Sequence, residues 1–110
     1  TIENQTSDVT WTFSGDEVAY RAEKNTPLVR TFLSAIRKQG AKPRFVLKTG
    51  TCDMNVVGPV WDCPIVAYGP GDSSLDHTPD ERINLSEYLQ SAKILKSVLN
   101  QLMGVENDTR

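Results

Sequence analysis

The chain has 110 residues, 38% apolar and 24% charged, which suits one soluble globular domain or a piece of a larger one and is too apolar for global disorder. Twelve Lys and Arg against fourteen Asp and Glu leave a formal charge of −2, so the composition offers no positive excess to neutralise phosphates and no nucleic-acid partner is expected. No run approaches the roughly 18 uninterrupted apolar residues of a membrane span, so no membrane partner is expected either.

In chain order, Val9, Trp11 and Phe13 alternate with Asp8, Thr10, Thr12 and Ser14, the period-2 pattern of a half-buried strand. Gly15-Asp16 reads as a turn, and residues 17–21 as a second short extended piece. Thr26 before Pro27 is an N-cap followed by proline at the first helical position. Val29, Phe32, Leu33 and Ile36 then share one helical face. Arg37 and Lys38 fall in the last turn, where cations complement the macrodipole, and Gly40 is placed to close the helix.

Residues 44–47 read as a strand, because Phe45-Val46-Leu47 is a compact apolar run between Pro43 and Gly50. The stretch 53–61 opens like a helix that Gly58-Pro59 should cut short. Residues 65–68 are a second buried-strand candidate between Pro64 and the Gly69-Pro70-Gly71 turn, and a polar loop follows over 72–80. The last element is a long helix. Leu85, Tyr88, Leu89, Ala92, Leu95, Leu99 and Leu102 form an apolar stripe that reads as core. Asn84 and Glu87 have capping-box spacing, with Ser86 a competing cap. Gly104 ends the helix, and residues 106–110 read as a frayed tail. After Tyr20 the order is helix, strand, short helix, strand, long helix, so the expected fold class is α/β with a parallel or mixed sheet. The opening strands do not fit that alternation. They read as the end of a different substructure, with a boundary between Gly15 and Asn25.

Cys52 and Cys63 are the only cysteines. They are too few for a disulfide framework and are not at zinc-knuckle spacing; reduced thiols in the cytoplasm are the simplest reading. The start lacks the basic-then-apolar pattern of a secretory signal. It opens on Thr1 rather than Met, which raises the expectation of an upstream portion.

In open α/β sheets, ligands bind beyond the carboxyl ends of the strands. Two polar loops containing glycine follow the expected strands, at 48–55 and 69–81. His77, the one histidine, lies in the second, beside Asp76, Asp80 and Glu81, and a neighbouring carboxylate is able to fix its tautomer behind a metal. A lone histidine is more often a surface or hydrogen-bonded residue. Zinc takes about three protein ligands even in an open site, so the other donors are carboxylates or lie outside this chain, and the second is favoured. Gly50-Thr51-Cys52-Asp53 is a candidate cradle for a carboxylate or other anion, glycine allowing close approach and Thr51 offering a hydroxyl. An equally weighted reading makes it a plain turn into a helix with Asp53 as N-cap. Cys52 reads as a small buried residue rather than a nucleophile, since only His77 is available to activate it. Gly69-Pro70-Gly71 is a turn, too short and rigid to be a phosphate-binding fingerprint.

The runs Gly50-Thr51-Cys52-Asp53-Met54-Asn55, Pro64-Ile65-Val66-Ala67-Tyr68-Gly69-Pro70-Gly71 and Asp76-His77-Thr78-Pro79-Asp80-Glu81 are similar, in order and spacing, to the C-terminal part of the di-zinc aminoacylase and carboxypeptidase family. That family includes acetylornithine deacetylase and succinyl-diaminopimelate desuccinylase. Within it the chain most resembles the hydrolases that release lysine or ornithine from an amino-group carrier protein in lysine and arginine biosynthesis. Residues 17–21 and 25–30 look like that subgroup too.

The resemblance implies that residues 21–110 are the C-terminal segment of a zinc-peptidase-like, three-layer αβα catalytic domain. Residues 1–20 would be the last strands of an α+β lid domain that forms a homodimer in the full-length protein. It implies two zinc ions, which cobalt is able to replace, with His77 ligating one of them. Gly50, Thr51, Asp53 and Asn55 would lie along the substrate pocket, with Gly69 and Gly71 beside it. The substrate would be an amide of lysine or ornithine, joined to an acyl group or to the carrier protein, and the enzyme cytoplasmic. Two departures stand out. Cys52 occupies a position where the family commonly has serine. The family's other zinc ligands and its glutamate general base precede the lid, so the catalytic residues are expected outside this chain and the isolated chain is expected to be inactive. A reading from another class is a non-catalytic binding or interaction domain derived from the same fold. Such a domain would hold a carboxylate at residues 50–55 or pair a free sheet edge with another chain.

Overall fold

The computed structural model describes residues 2–5, 9–48 and 50–104, with side chains from residue 9 onward. Asp8 of the strand pattern, Thr49 and the expected tail at 106–110 lie outside the described residues. The chain divides into two compact units, Thr1–Arg21 with Lys48–Cys63, and Ala22–Leu47 with Pro64–Arg110.

In the first unit, β1 (Ile2–Gln5) and β2 (Thr10–Phe13) form an antiparallel pair with Ile2 opposite Phe13 and Gln5 opposite Thr10. The alternation at Trp11 and Phe13 therefore does mark a strand. Its partner, however, precedes it: residues 17–21 carry no strand pairing. That segment serves instead as an anchor for the helix over Asp53–Trp61 of the same unit. Asn55 Nδ2 donates to the Val18 carbonyl at 2.9 Å. A Cβ on Gly58 would sit 2.5 Å from the Tyr20 ring, so the close approach requires glycine there. The helix continues through Gly58-Pro59, where the sequence predicts a stop, and ends at Asp62 with φ +43°. Pro59 stands in its last turn, where the missing N–H forfeits a single bond.

The second unit is built on α1 (Pro27–Lys38) and the long helix α3 (Leu85–Leu102), with α2 denoting Asp53–Trp61 of the first unit. The caps of α1 form as its sequence dictates. Thr26 Oγ1 accepts from the Val29 N–H at 3.2 Å. At the far end Gly40 turns left-handed, its N–H donates to the Arg37 carbonyl at 3.0 Å, and the Ala41 N–H donates to that of Ile36 at 3.2 Å, the paired bonds of a Schellman ending. Phe32 and Ala35 of α1 form the core with Ile94 and Val98 of α3, and Leu28, Ile36, Val66 and Tyr68 pack around them. The Phe32 and Tyr68 rings are 4.9 Å apart between centroids. Gln90 Nε2 donates to the Gln39 carbonyl at 3.2 Å, giving a partner to a group that the end of α1 leaves open.

Two expectations are corrected here. The leucine stripe of α3 is not core. Leu85, Tyr88, Leu89, Ala92, Leu95, Leu99 and Leu102 are all exposed, Leu89 to 59%, whereas Ile94 and Val98 are 3% and 1% exposed. At 100° per residue that buried pair lies on a different side of the helix from the stripe. α3 thus has two apolar faces, and α1 takes the narrower. Nor are 44–47 and 65–68 strands. A strand exists through its ladder bonds, and among the described residues the one ladder is β1–β2. Phe45, Val46 and Leu47 stay exposed, with Lys24 Nζ 5.3 Å from the Phe45 ring centroid. Residues 65–68 keep the alternation of a strand, since Val66 and Tyr68 pack on the helical core.

In the 110-residue chain, Ile94→Ala is expected to lower stability in urea denaturation by about 2–5 kcal/mol. Leu89→Ala on the exposed stripe should stay within about 0.5 kcal/mol. Equal losses would contradict the assignment of faces.

Candidate functional site

The loop that carries His77 leaves the core at Tyr68 and is shaped by a succession of tight turns. Gly71 adopts φ +104°, a conformation open to glycine and strained for other residues. Its N–H donates to Glu87 Oε1 at 3.1 Å. Asn84 caps α3 by accepting from Ser86 N–H at 2.9 Å and Glu87 N–H at 3.2 Å. The capping box that the Asn84–Glu87 spacing predicts is therefore half realised: the Glu87 carboxylate reaches the loop. Asp72 Oδ1 accepts from both the Ser74 N–H at 2.9 Å and the Ser74 hydroxyl at 2.6 Å. A single 3-10 turn follows at Ser73–Leu75.

His77 then occupies the second central position of a turn closed by the Thr78 N–H on the Leu75 carbonyl at 3.1 Å, with the Thr78 hydroxyl donating to the same oxygen at 2.6 Å. Asp76 has φ −54° and ψ 131° and His77 has φ +62°, the dihedrals of a type II turn. Glycine is the usual residue at that second position. Histidine there carries strain of about 1–3 kcal/mol, of the kind concentrated at ligand clamps and active sites. The ring is exposed. Nothing in the sequence pattern announces this left-handed histidine.

The other expected site residues stand in the first unit. Thr51, Cys52 and Asp53 are exposed, and a Cβ at Gly50 would meet nothing within 4 Å. Cys52, expected to be buried, is instead an exposed N-cap, and Asp53 is the first helical residue rather than the cap. A carboxylate in that first turn complements the helix dipole. Asn55 Oδ1 accepts from the Cys52 N–H at 3.0 Å while its Nδ2 holds Val18, so this amide fixes the start of α2. The structure therefore gathers Gly69, Gly71 and His77 on one loop of the second unit, and Gly50, Thr51, Asp53 and Asn55 at one helix start of the first.

Among the described residues no three His, Cys, Asp or Glu side chains converge as a metal site. An exposed imidazole on a turn-fixed loop is chemically able to fill one position in a zinc donor set, and the described residues do not supply the rest of the set.

A family model for peptidase family M20/M25/M40 matches residues 5–101. The chain is 53% identical over 93 residues to the LysW-lysine hydrolase of Deinococcus radiodurans, covering 84% of this chain and 26% of that protein. It is 56% identical over 86 residues to a Pyrococcus horikoshii protein with a provisional LysW-lysine/LysW-ornithine hydrolase name, covering 78% of this chain and 26% of that one. With the LysW-lysine/LysW-ornithine hydrolase of Saccharolobus islandicus the identity is 40% over 78 residues, 71% of this chain and 22% of that protein. The chain thus spans about a quarter of the length of the curated relatives it matches.

The side-chain and backbone bonds from Ser74, aided by Arg82 and Arg44, hold the Asp72 carboxyl below its ordinary value of 3.8. A depressed carboxyl contributes its stabilisation above the unfolded value and loses it as pH falls through the folded one. The Ser74 amide resonance should accordingly hold steady through neutral pH and titrate with a midpoint below 3.8. A midpoint at or above that value would count against the turn.

Proposed function

The chain belongs to peptidase family M20/M25/M40, and from that membership we propose that it is the C-terminal part of a zinc-dependent amidohydrolase. The enzyme cleaves an amide to release lysine or ornithine from a carrier-protein-linked or N-acyl form in lysine and arginine biosynthesis. The names of the relatives from D. radiodurans and S. islandicus support the substrate class. The observation that carries the site is His77, a strained and exposed imidazole at the apex of a loop tied by successive turns.

His77 would hold one of two zinc ions in the complete enzyme through a ring nitrogen, cobalt being an alternative. When bound, the metal would supply polarisation of the amide carbonyl and a lowered pKa for a bound water. The remaining donors and the general base come from the part of the relatives' length that this chain does not span, so the isolated chain is inactive. The proposed substrate contacts are Gly50, Thr51, Asp53 and Asn55 in the first unit, at the open start of α2, and Gly69 and Gly71 in the second.

The exposed apolar surfaces support the same reading. In the complete three-layer αβα domain, residues 44–47 and 65–68 enter a sheet whose other strands lie outside this chain. The exposed leucine stripe of α3 is apolar surface of the kind that a larger domain would cover. Residues 1–20 close the lid, whose full form makes the homodimer, and residues 21–110 belong to the catalytic domain. No helix among the described residues is long and apolar enough to cross a membrane. A cytoplasmic place follows from the biosynthetic role.

In the full-length enzyme, His77→Ala should reduce turnover by more than the roughly 10–100-fold that removal of an outer-shell partner costs. His77→Gly should lose as much turnover while gaining about 1 kcal/mol of stability from the relieved turn. Retention of full activity and full zinc content by either variant would sink the site.

A further inference from the structure

We propose that Glu87 is a positioning residue for the His77 loop, acting through the backbone of Gly71; this rests on the reading above that His77 serves the site. Glu87 stands in the first turn of α3, two helical turns before the buried Ile94, on the side of the helix that faces the core. Its Oε1 accepts the Gly71 N–H at 3.1 Å, and its own N–H is held by Asn84. Gly71 is where the chain reverses, at φ +104°. From there to Thr78 the loop is closed on itself by hydrogen bonds: Ser74 on Asp72, Leu75 on Asp72, Thr78 on Leu75. Internal bonds of that kind fix the loop's shape and not its placement. The bond from Gly71 to Glu87 ties that shaped loop to a helix locked in the core, and so sets where the His77 ring is presented. A ligand held by such an outer partner loses metal affinity or activity when the partner is removed, although the partner touches no reacting atom.

Glu87→Met and Glu87→Gln in the full-length enzyme test this. Both keep the side-chain length and both remove the charge from the first turn of α3. The glutamine alone keeps a strong acceptor. The readouts are hydrogen exchange across residues 69–77, zinc content, the thermal midpoint, and kcat and KM on carrier-linked lysine. Glu87→Met should exchange faster over 69–77 and lose roughly 10-fold in kcat, with KM and the thermal midpoint nearly unchanged. Glu87→Gln should stay close to the unmodified enzyme in every readout. Unchanged exchange and kcat in the methionine variant would overturn the proposal. So would equal losses in both variants, which would assign the effect to charge at the helix start. If the unmodified enzyme fails to hydrolyse carrier-linked lysine, the functional reading falls and the exchange comparison still decides the tether.

Discussion

Ile94 and Val98 of α3, set against Phe32 and Ala35 of α1, form the contact on which the larger unit depends. Burying such side chains stabilises by about 1.5–3 kcal/mol each, enough to fix the rotation of α3 about its own axis. Once that rotation is fixed, the positions of the other faces follow from helical geometry. Glu87 comes onto the core side, where it meets Gly71, and the leucines are turned away from α1. The leucine stripe is the larger apolar surface. α1 engages the smaller pair, and the larger apolar face of α3 stays exposed.

The same constraint reaches the candidate site. Tyr68 is held against Phe32, Gly71 is held by Glu87, and the stretch between Asp72 and Thr78 is closed by its own turns. A strained histidine persists only where its surroundings over-determine it, and these ties provide that over-determination. The ring sits in a left-handed turn whose flanking amides, those of Asp76 and Thr78, are both bonded, which fixes its place on the loop. The strain and the ordered loop are one design: the first is tolerable because of the second.

Much of this was legible in the residues, and the failures have physical causes. α1 could be read completely because its determinants are local: Thr26, Pro27 and Gly40 act on atoms within one turn of themselves. The ends of α3 were legible for the same reason, through Asn84 and Gly104. Which face it buries was not, because the regular leucines dominate the pattern and the choice depends on the partner helix. Phe45-Val46-Leu47 and residues 65–68 have strand composition, but sheet pairing is non-local and needs neighbours that the described residues do not provide. The β1–β2 pairing is not legible because residues 2–5 lack a clear alternation, while 17–21 has β-forming Val18 and Tyr20 that act instead as anchors for α2. At the site, motif order marked His77 and the two glycine loops. The left-handed turn, the reach of Glu87 and the exposure of Cys52 emerge only from the folded backbone.

The assignment of His77 as a metal donor is tested most directly by diffraction at the zinc absorption edge from crystals of the full-length enzyme. An anomalous peak about 2.0–2.1 Å from a His77 ring nitrogen is the expected result. A fully coordinated metal whose donors exclude His77, with that ring turned to solvent, would contradict it.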